Sequence, residues 1–132
     1  MLKYISDYKA GLYFLLLVIL LFFVPIEPAC AEVNYVSGNI SSDTTWTTGN
    51  VYVVDGDLAI NSGITLTINS GVIVKLGSDK RVEVNGVLKV QGTSSDPVYF
   101  TSLKDDTIGG DTNGDGYGTS PEPGDWAHIS FT

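Results

Sequence analysis

Ile60-Asn61-Ser62-Gly63-Ile64-Thr65-Leu66-Thr67 runs directly into Ile68-Asn69-Ser70-Gly71-Val72-Ile73-Val74-Lys75, so the same turn letters and apolar positions return after 8 residues. Ile64, Leu66 and Ile68 share one face and Thr65 and Thr67 the other, the alternation of a strand with one buried side. The β-branched content agrees. Gly63 and Gly71 each close an Asn-Ser-Gly corner, where a positive φ suits glycine and strains other residues. Each unit therefore predicts one short strand and one corner. A longer repeat sets Val54-Asp55-Gly56-Asp57-Leu58-Ala59-Ile60 against Val84-Asn85-Gly86-Val87-Leu88-Lys89-Val90 at a spacing of 30, the size of one solenoid turn. The expected fold class is all-β, a parallel solenoid of about two turns.

Working outward, Val51 to Ile60 reads as the first side, Ile64 to Ile68 as the second and Val72 to Leu76 as the third. Arg81 to Gln91 then resumes the first side, Pro97 to Leu103 the second and Trp126 to Thr132 the third. Residues 32–50 are rich in Ser, Thr, Asn and Gly, with Val33, Tyr35, Val36, Ile40 and Trp46 as apolar anchors. They suit a lead-in that covers the open first end, where unpaired backbone would otherwise be exposed. Trp46 fits there as a capping or core residue. Asn85-Gly86 between alternating segments is also a hairpin signal, which makes an antiparallel β-sandwich the alternative. Corners recurring at 8 residues, and the match of Asn85-Gly86 to Asp55-Gly56 inside a similar strand, favour the solenoid.

Lys3 and Lys9 precede an apolar run of 13 residues, Leu12 to Val24, which Pro25 ends before Ala29-Cys30-Ala31. This is signal-peptide anatomy, with residues 1–31 as the expected leader and a cut after Ala31. The run is too short for a bilayer span, so no stable membrane span is expected after cleavage. Cleavage would also remove Cys30, the sole cysteine, and with it any disulfide chemistry. Lys3, Lys9, Asp7 and Glu27 cancel, so the remainder carries the whole net charge of −8. Nucleic acid is a poor partner for such a chain, because binding phosphates relies on Lys and Arg. Divalent cations are better ones.

Residues 104–125 form a long acidic insertion between sides. They contain Asp105, Asp106, Asp111, Asp115, Glu122 and Asp125, with no basic residue after Lys104. Carboxylates gathered this closely repel unless a cation joins them. Asp111-Thr112-Asn113-Gly114-Asp115-Gly116, with Glu122 at the twelfth position, satisfies a calcium-loop pattern. Asp111, Asn113 and Asp115 would supply side-chain oxygens, Tyr117 its carbonyl and Glu122 two oxygens, while Gly116 permits the sharp turn. Gly118 replaces the usual apolar residue and Pro121 stands where an exiting helix would start, so helices are not expected around the loop. Asp105 and Asp106 could complete the shell in place of Glu122. The expected cofactor is calcium in a structural role, set against an alternative in which the side chains only make Asx turns.

Ser95-Asp96-Pro97-Val98-Tyr99-Phe100-Thr101-Ser102, the acidic insertion, and Pro123-Gly124-Asp125-Trp126-Ala127-His128-Ile129 resemble the first turns of secreted bacterial right-handed parallel β-helix proteins of the pectate-lyase-like superfamily. The resemblance covers Trp46 to the end and implies parallel sheets wound as a coil with inward aliphatic ladders. The insertion resembles EF-hand and dockerin calcium loops in ligand order alone. Proteins of this superfamily are usually much longer, and the chain stops within a strand at Phe131-Thr132, so a piece of a longer protein is expected.

No catalytic residue is assigned. His128 alternates with Trp126 and Ser130 on the face opposite Ala127, Ile129 and Phe131, which makes it an outward surface histidine beside an outward Trp126. The leading functional reading is an exported, non-catalytic, calcium-stabilised module at the cell surface or outside the cell, contacting polysaccharide or another surface protein. The alternatives are the N-terminal part of a polysaccharide-lyase-type enzyme and a β-sandwich carbohydrate-binding module.

Overall fold

The computed structural model describes residues 31–132, so the expected leader lies outside the described residues up to Cys30. Nine strands follow one another: β1 (Val33–Ile40), β2 (Thr44–Trp46), β3 (Val51–Ile60), β4 (Thr65–Ile68), β5 (Ile73–Leu76), β6 (Val82–Val84), β7 (Val87–Val90), β8 (Tyr99–Ser102) and β9 (Ile129–Phe131). Every pairing among them is parallel, which excludes the antiparallel sandwich. The strands wind into a β-solenoid of three coils, and β8 and β9 begin a fourth.

Three columns of strands run up the coil. The first stacks Val33, Val51, Ile73 and Tyr99 at intervals of 18, 22 and 26 residues. The second stacks Gly38, Leu58, Val82 and Ile129. The third stacks β2, β4 and β7. The 30-residue spacing is therefore not the stacking register, and Val72 to Leu76 returns to the first column instead of making a third side. Arg81 to Gln91 is divided between the second and third columns, and residues 97–103 resume the first. Residues 32–50, expected as a lead-in, wind as the first coil.

The interval grows because corners grow, the one between the first and second columns by two residues at each step through the three coils. Between the first and second columns the chain passes through Ser37 alone, then Asp55–Asp57, then Gly77–Arg81, then Leu103–His128. The acidic insertion is the fourth edition of that corner.

The inward ladders follow from alternation. Tyr52, Val54, Leu58, Ile60, Leu66, Ile68, Val74, Leu76, Val82 and Val84 form one buried core. Each such side chain contributes roughly 1.5–3 kcal/mol by leaving water. Trp46 lies within this core, stacked on Tyr52 with ring centroids 4.4 Å apart and planes 7° from parallel. The Tyr52 hydroxyl accepts a hydrogen bond from the Thr47 amide at 3.1 Å. Gly63 and Gly71 adopt φ of 79° and 71°, as their corners require.

Candidate metal centre

Alternation sends Val51, Val53, Ile73, Lys75 and Thr101 of the first column outward, yet Val51, Val53 and Lys75 are wholly buried. The insertion covers them. We call residues 104–125 the strap, because they fold back across the outer face and touch several coils in turn. The Thr101 hydroxyl donates to Asp105 Oδ2 at 2.7 Å, and Lys75 Nζ donates to the carbonyls of Asp105 at 2.8 Å and Gly110 at 2.5 Å. Gly109 lies so close over the face that a Cβ there would stand 3.2 Å from both Ile73 and Val51. Farther on, the Tyr35 hydroxyl donates to the Thr112 carbonyl at 3.2 Å. Tyr35, Val53, Lys75 and Thr101 are register neighbours, so the strap spans all four layers.

Two aspartates are committed to holding this shape. Asp105 accepts from the hydroxyls of Thr101 and Thr107 and from the Thr107 amide, which together keep its carboxyl below the usual range. Asp125 closes the neck of the strap, accepting from Lys104 Nζ at 2.7 Å, Ser102 Oγ at 2.7 Å and the Glu122 amide at 2.8 Å. The Lys104 ammonium foremost, then those other donors, lower Asp125 from 3.8 to about 2. A lowered carboxylate contributes stability above its unfolded value, and that contribution disappears as pH falls from 3.8 toward about 2. Asp125→Asn is thus expected to melt below the parent at neutral pH, with the gap closing over that acid window in thermal unfolding followed across pH. A gap unchanged under acid would make Asp125 a packing residue only.

The remaining carboxylates converge. Asp106, Asp111 and Asp115 place oxygens within 4.8 Å of one another. Asp111 and Asp115 are exposed and hold the loop through its amides. Asp111 accepts from Gly114, Asp115 and Gly116, and Asp115 accepts from Gly118, Asn113 Nδ2 and the Thr119 hydroxyl. The Thr119 bond leads in lowering the Asp115 pKa. Asp106 differs, being buried with neither carboxylate oxygen hydrogen-bonded. Burial, then Asp111 and Asp115, raise its pKa against weaker pulls from Lys75 and the Tyr117 backbone. Among the described residues, the buried side-chain polar atoms without a partner are the two Asp106 oxygens and Thr112 Oγ1, all in the strap.

Of the five residues in the twelve-position pattern, the structure brings Asp111 and Asp115 together. Asn113 lies beside them with its amide nitrogen toward Asp115 and its Oδ1 accepting from the Asp115 amide. Tyr117 sits at φ 69° with its ring 75% exposed, and Glu122 is exposed, outside the three-aspartate group. The chain exits toward Pro121 without a helix, so Glu122 is not swung back over the loop. Lys75 was not singled out from sequence. Its signal is a lone cation among Ile73, Val74 and Leu76, in a chain whose insertion has no basic residue after Lys104.

Outside the strap, Trp126 packs against the core, contrary to the outward position expected beside His128. It precedes β9, so the strand alternation does not reach it. His128 is exposed and offers its carbonyl to the Val82 amide at 3.0 Å. No curated protein and no solved structure matches the chain. The family model of the pectate-lyase like beta helix domain matches residues 38–115, more than half of the chain, from the first coil to Asp115.

Proposed function

This chain belongs to the pectate-lyase like β-helix family, and we propose that it is an exported, non-catalytic module whose strap is held by calcium and whose outer surface contacts polysaccharide at the cell surface or beyond it. The observation that carries the non-catalytic reading is the commitment of the ionisable groups under the strap. Asp105 is bonded to two threonines, Asp125 to Lys104 and Ser102, and Lys75 to two carbonyls. A lyase needs a base that can reach the substrate and a cation that steadies the developing negative charge. Lys75, wholly buried with its ammonium already donated, suits neither task. The carbohydrate reading is supported by the family and by the exposed rings of Tyr35, Tyr99 and Tyr117, whose faces suit sugar stacking.

The calcium reading is supported by the all-oxygen donors of Asp106, Asp111 and Asp115, the kind of set that hard divalent cations take. The rival reading, a polysaccharide lyase, is favoured by the family alone. Affinity electrophoresis of the full chain through gels containing neutral glucan or polygalacturonate, with ultraviolet detection of unsaturated products, separates the two. Retardation without product is expected. Product formation would make the chain an enzyme, and migration unaffected by every polymer would remove the carbohydrate partner.

A further inference from the structure

We propose that Asp106, Asp111 and Asp115 form a calcium site in which buried Asp106 is the indispensable ligand and Glu122 takes no part, so that the ion latches the strap over Lys75. The proposal rests on the reading that calcium holds the strap, and it moves the ligand set from a twelve-position loop to a group that joins the base of the strap to its tip.

Asp106 is only 7% exposed, and both of its carboxylate oxygens lack a hydrogen-bond partner among the described residues. A carboxylate taken out of water without a partner is costly, and a cation is the partner its position allows. Its neighbours are two more carboxylates, all with oxygens within 4.8 Å. Oxygens facing each other across a calcium ion, at 2.3–2.6 Å each, stand at most about 5 Å apart, so the three can share one shell. Lys75 is the nearby positive charge, but its ammonium is turned to the carbonyls of Asp105 and Gly110. That leaves three carboxylates to be balanced, a charge suited to a divalent ion. The irregular backbone of the strap suits the variable coordination of calcium better than the strict octahedron of magnesium. Glu122 is drawn elsewhere, because its amide caps Asp125 at the neck.

The test is calorimetric titration of the full chain with calcium chloride, for the parent, Asp106→Asn and Glu122→Gln, with melting temperatures taken in calcium and in chelator. The parent should bind saturably, Glu122→Gln should bind as the parent does, and Asp106→Asn should bind at least about tenfold more weakly. In chelator Asp106→Asn should melt at or above the parent, since it removes a buried unpaired charge, and in calcium it should melt below. That reversal of sign is something a packing residue would not show. Loss of binding in Glu122→Gln but not in Asp106→Asn would overturn the proposal in favour of the twelve-position shell. An equal drop of Asp106→Asn in both conditions would make it structural only. Absence of binding by the parent at millimolar calcium would remove the site and the calcium part of the proposed function together, while retardation by polysaccharide in chelator would leave the carbohydrate part standing.

Discussion

Gly86→Ala is expected to cost about 3 kcal/mol or more, because a single methyl group there overpacks a site that has no room for it. Gly86 lies on the corner between β6 and β7, which stacks directly on the corner between β3 and β4. The Asn85 amide donates to the Ile60 carbonyl at 2.9 Å and the Val87 amide to the Ile64 carbonyl at 2.8 Å. A Cβ at position 86 would fall onto the main-chain oxygens of Asn61 and Ile64, closer than real Cβ contacts come, and within 3.2 Å of Ile60 Cγ2. Neither oxygen can retreat freely, since the lower corner is closed by its own bond from the Ile64 amide to the Asn61 carbonyl at 3.1 Å. For a chain of this size the loss corresponds to a melting temperature lower by on the order of 10–20 °C. Thermal unfolding of the variant beside Asn85→Ala, which adds no atoms, measures it. An unchanged midpoint would mean that these corners do not stack in this register.

The second large effect is expected at Lys75. Lys75→Met keeps most of the stem but removes an ammonium that serves two carbonyls beneath the strap and offsets Asp106, Asp105 and Asp111. Burial lowers the Lys75 pKa against the pull of those carboxylates, so the native ammonium already carries a desolvation cost. Removing it recovers that cost but leaves the strap's carbonyls and carboxylates without their cation, and breaking a buried charged arrangement from one side typically costs about 3 kcal/mol or more. The damage should start in the strap, whose amides and carbonyls are held by few other bonds to the coil. Nicking by a broad-specificity protease should therefore appear first within residues 104–125, before the coil unfolds. A variant as stable and as protease-resistant as the parent would show that the apolar contacts of Gly109 with Val51 and Ile73 suffice to hold the strap.

Both effects arise where residues distant in sequence meet, and they mark where sequence reading stops. The Asn85-Gly86 pair, legible either as a hairpin turn or as a repeat of Asp55-Gly56, is a corner between parallel strands. There glycine is needed for close backbone approach. Asp55-Gly56 lies within β3, where Gly56 would press a Cβ to 2.8 Å from Ser37 Cβ. The two dipeptides resemble each other in letters and differ in place. The metal-loop pattern behaved similarly: its first half, Asp111 to Asp115, is local and does converge, whereas the partner that joins it, Asp106, was one of several acidic candidates.

What the sequence determined by itself was whatever depends on neighbours one to three residues away. Period-2 alternation set the inward faces of Leu66 and Ile68, Asn-Ser-Gly set two positive-φ corners, and the crowding of carboxylates marked residues 104–125 as an acidic insertion. Only the tertiary structure decided the stacking intervals of 18, 22 and 26 residues, because a coil whose corners change in length has no constant period for a sequence to display. It alone decided that Lys75 lies under a loop 30 residues downstream, since an outward strand position reads as exposed until something folds over it. And it decided which carboxylate is buried without a partner, because burial is a property of what covers Asp106 and not of Asp106 itself.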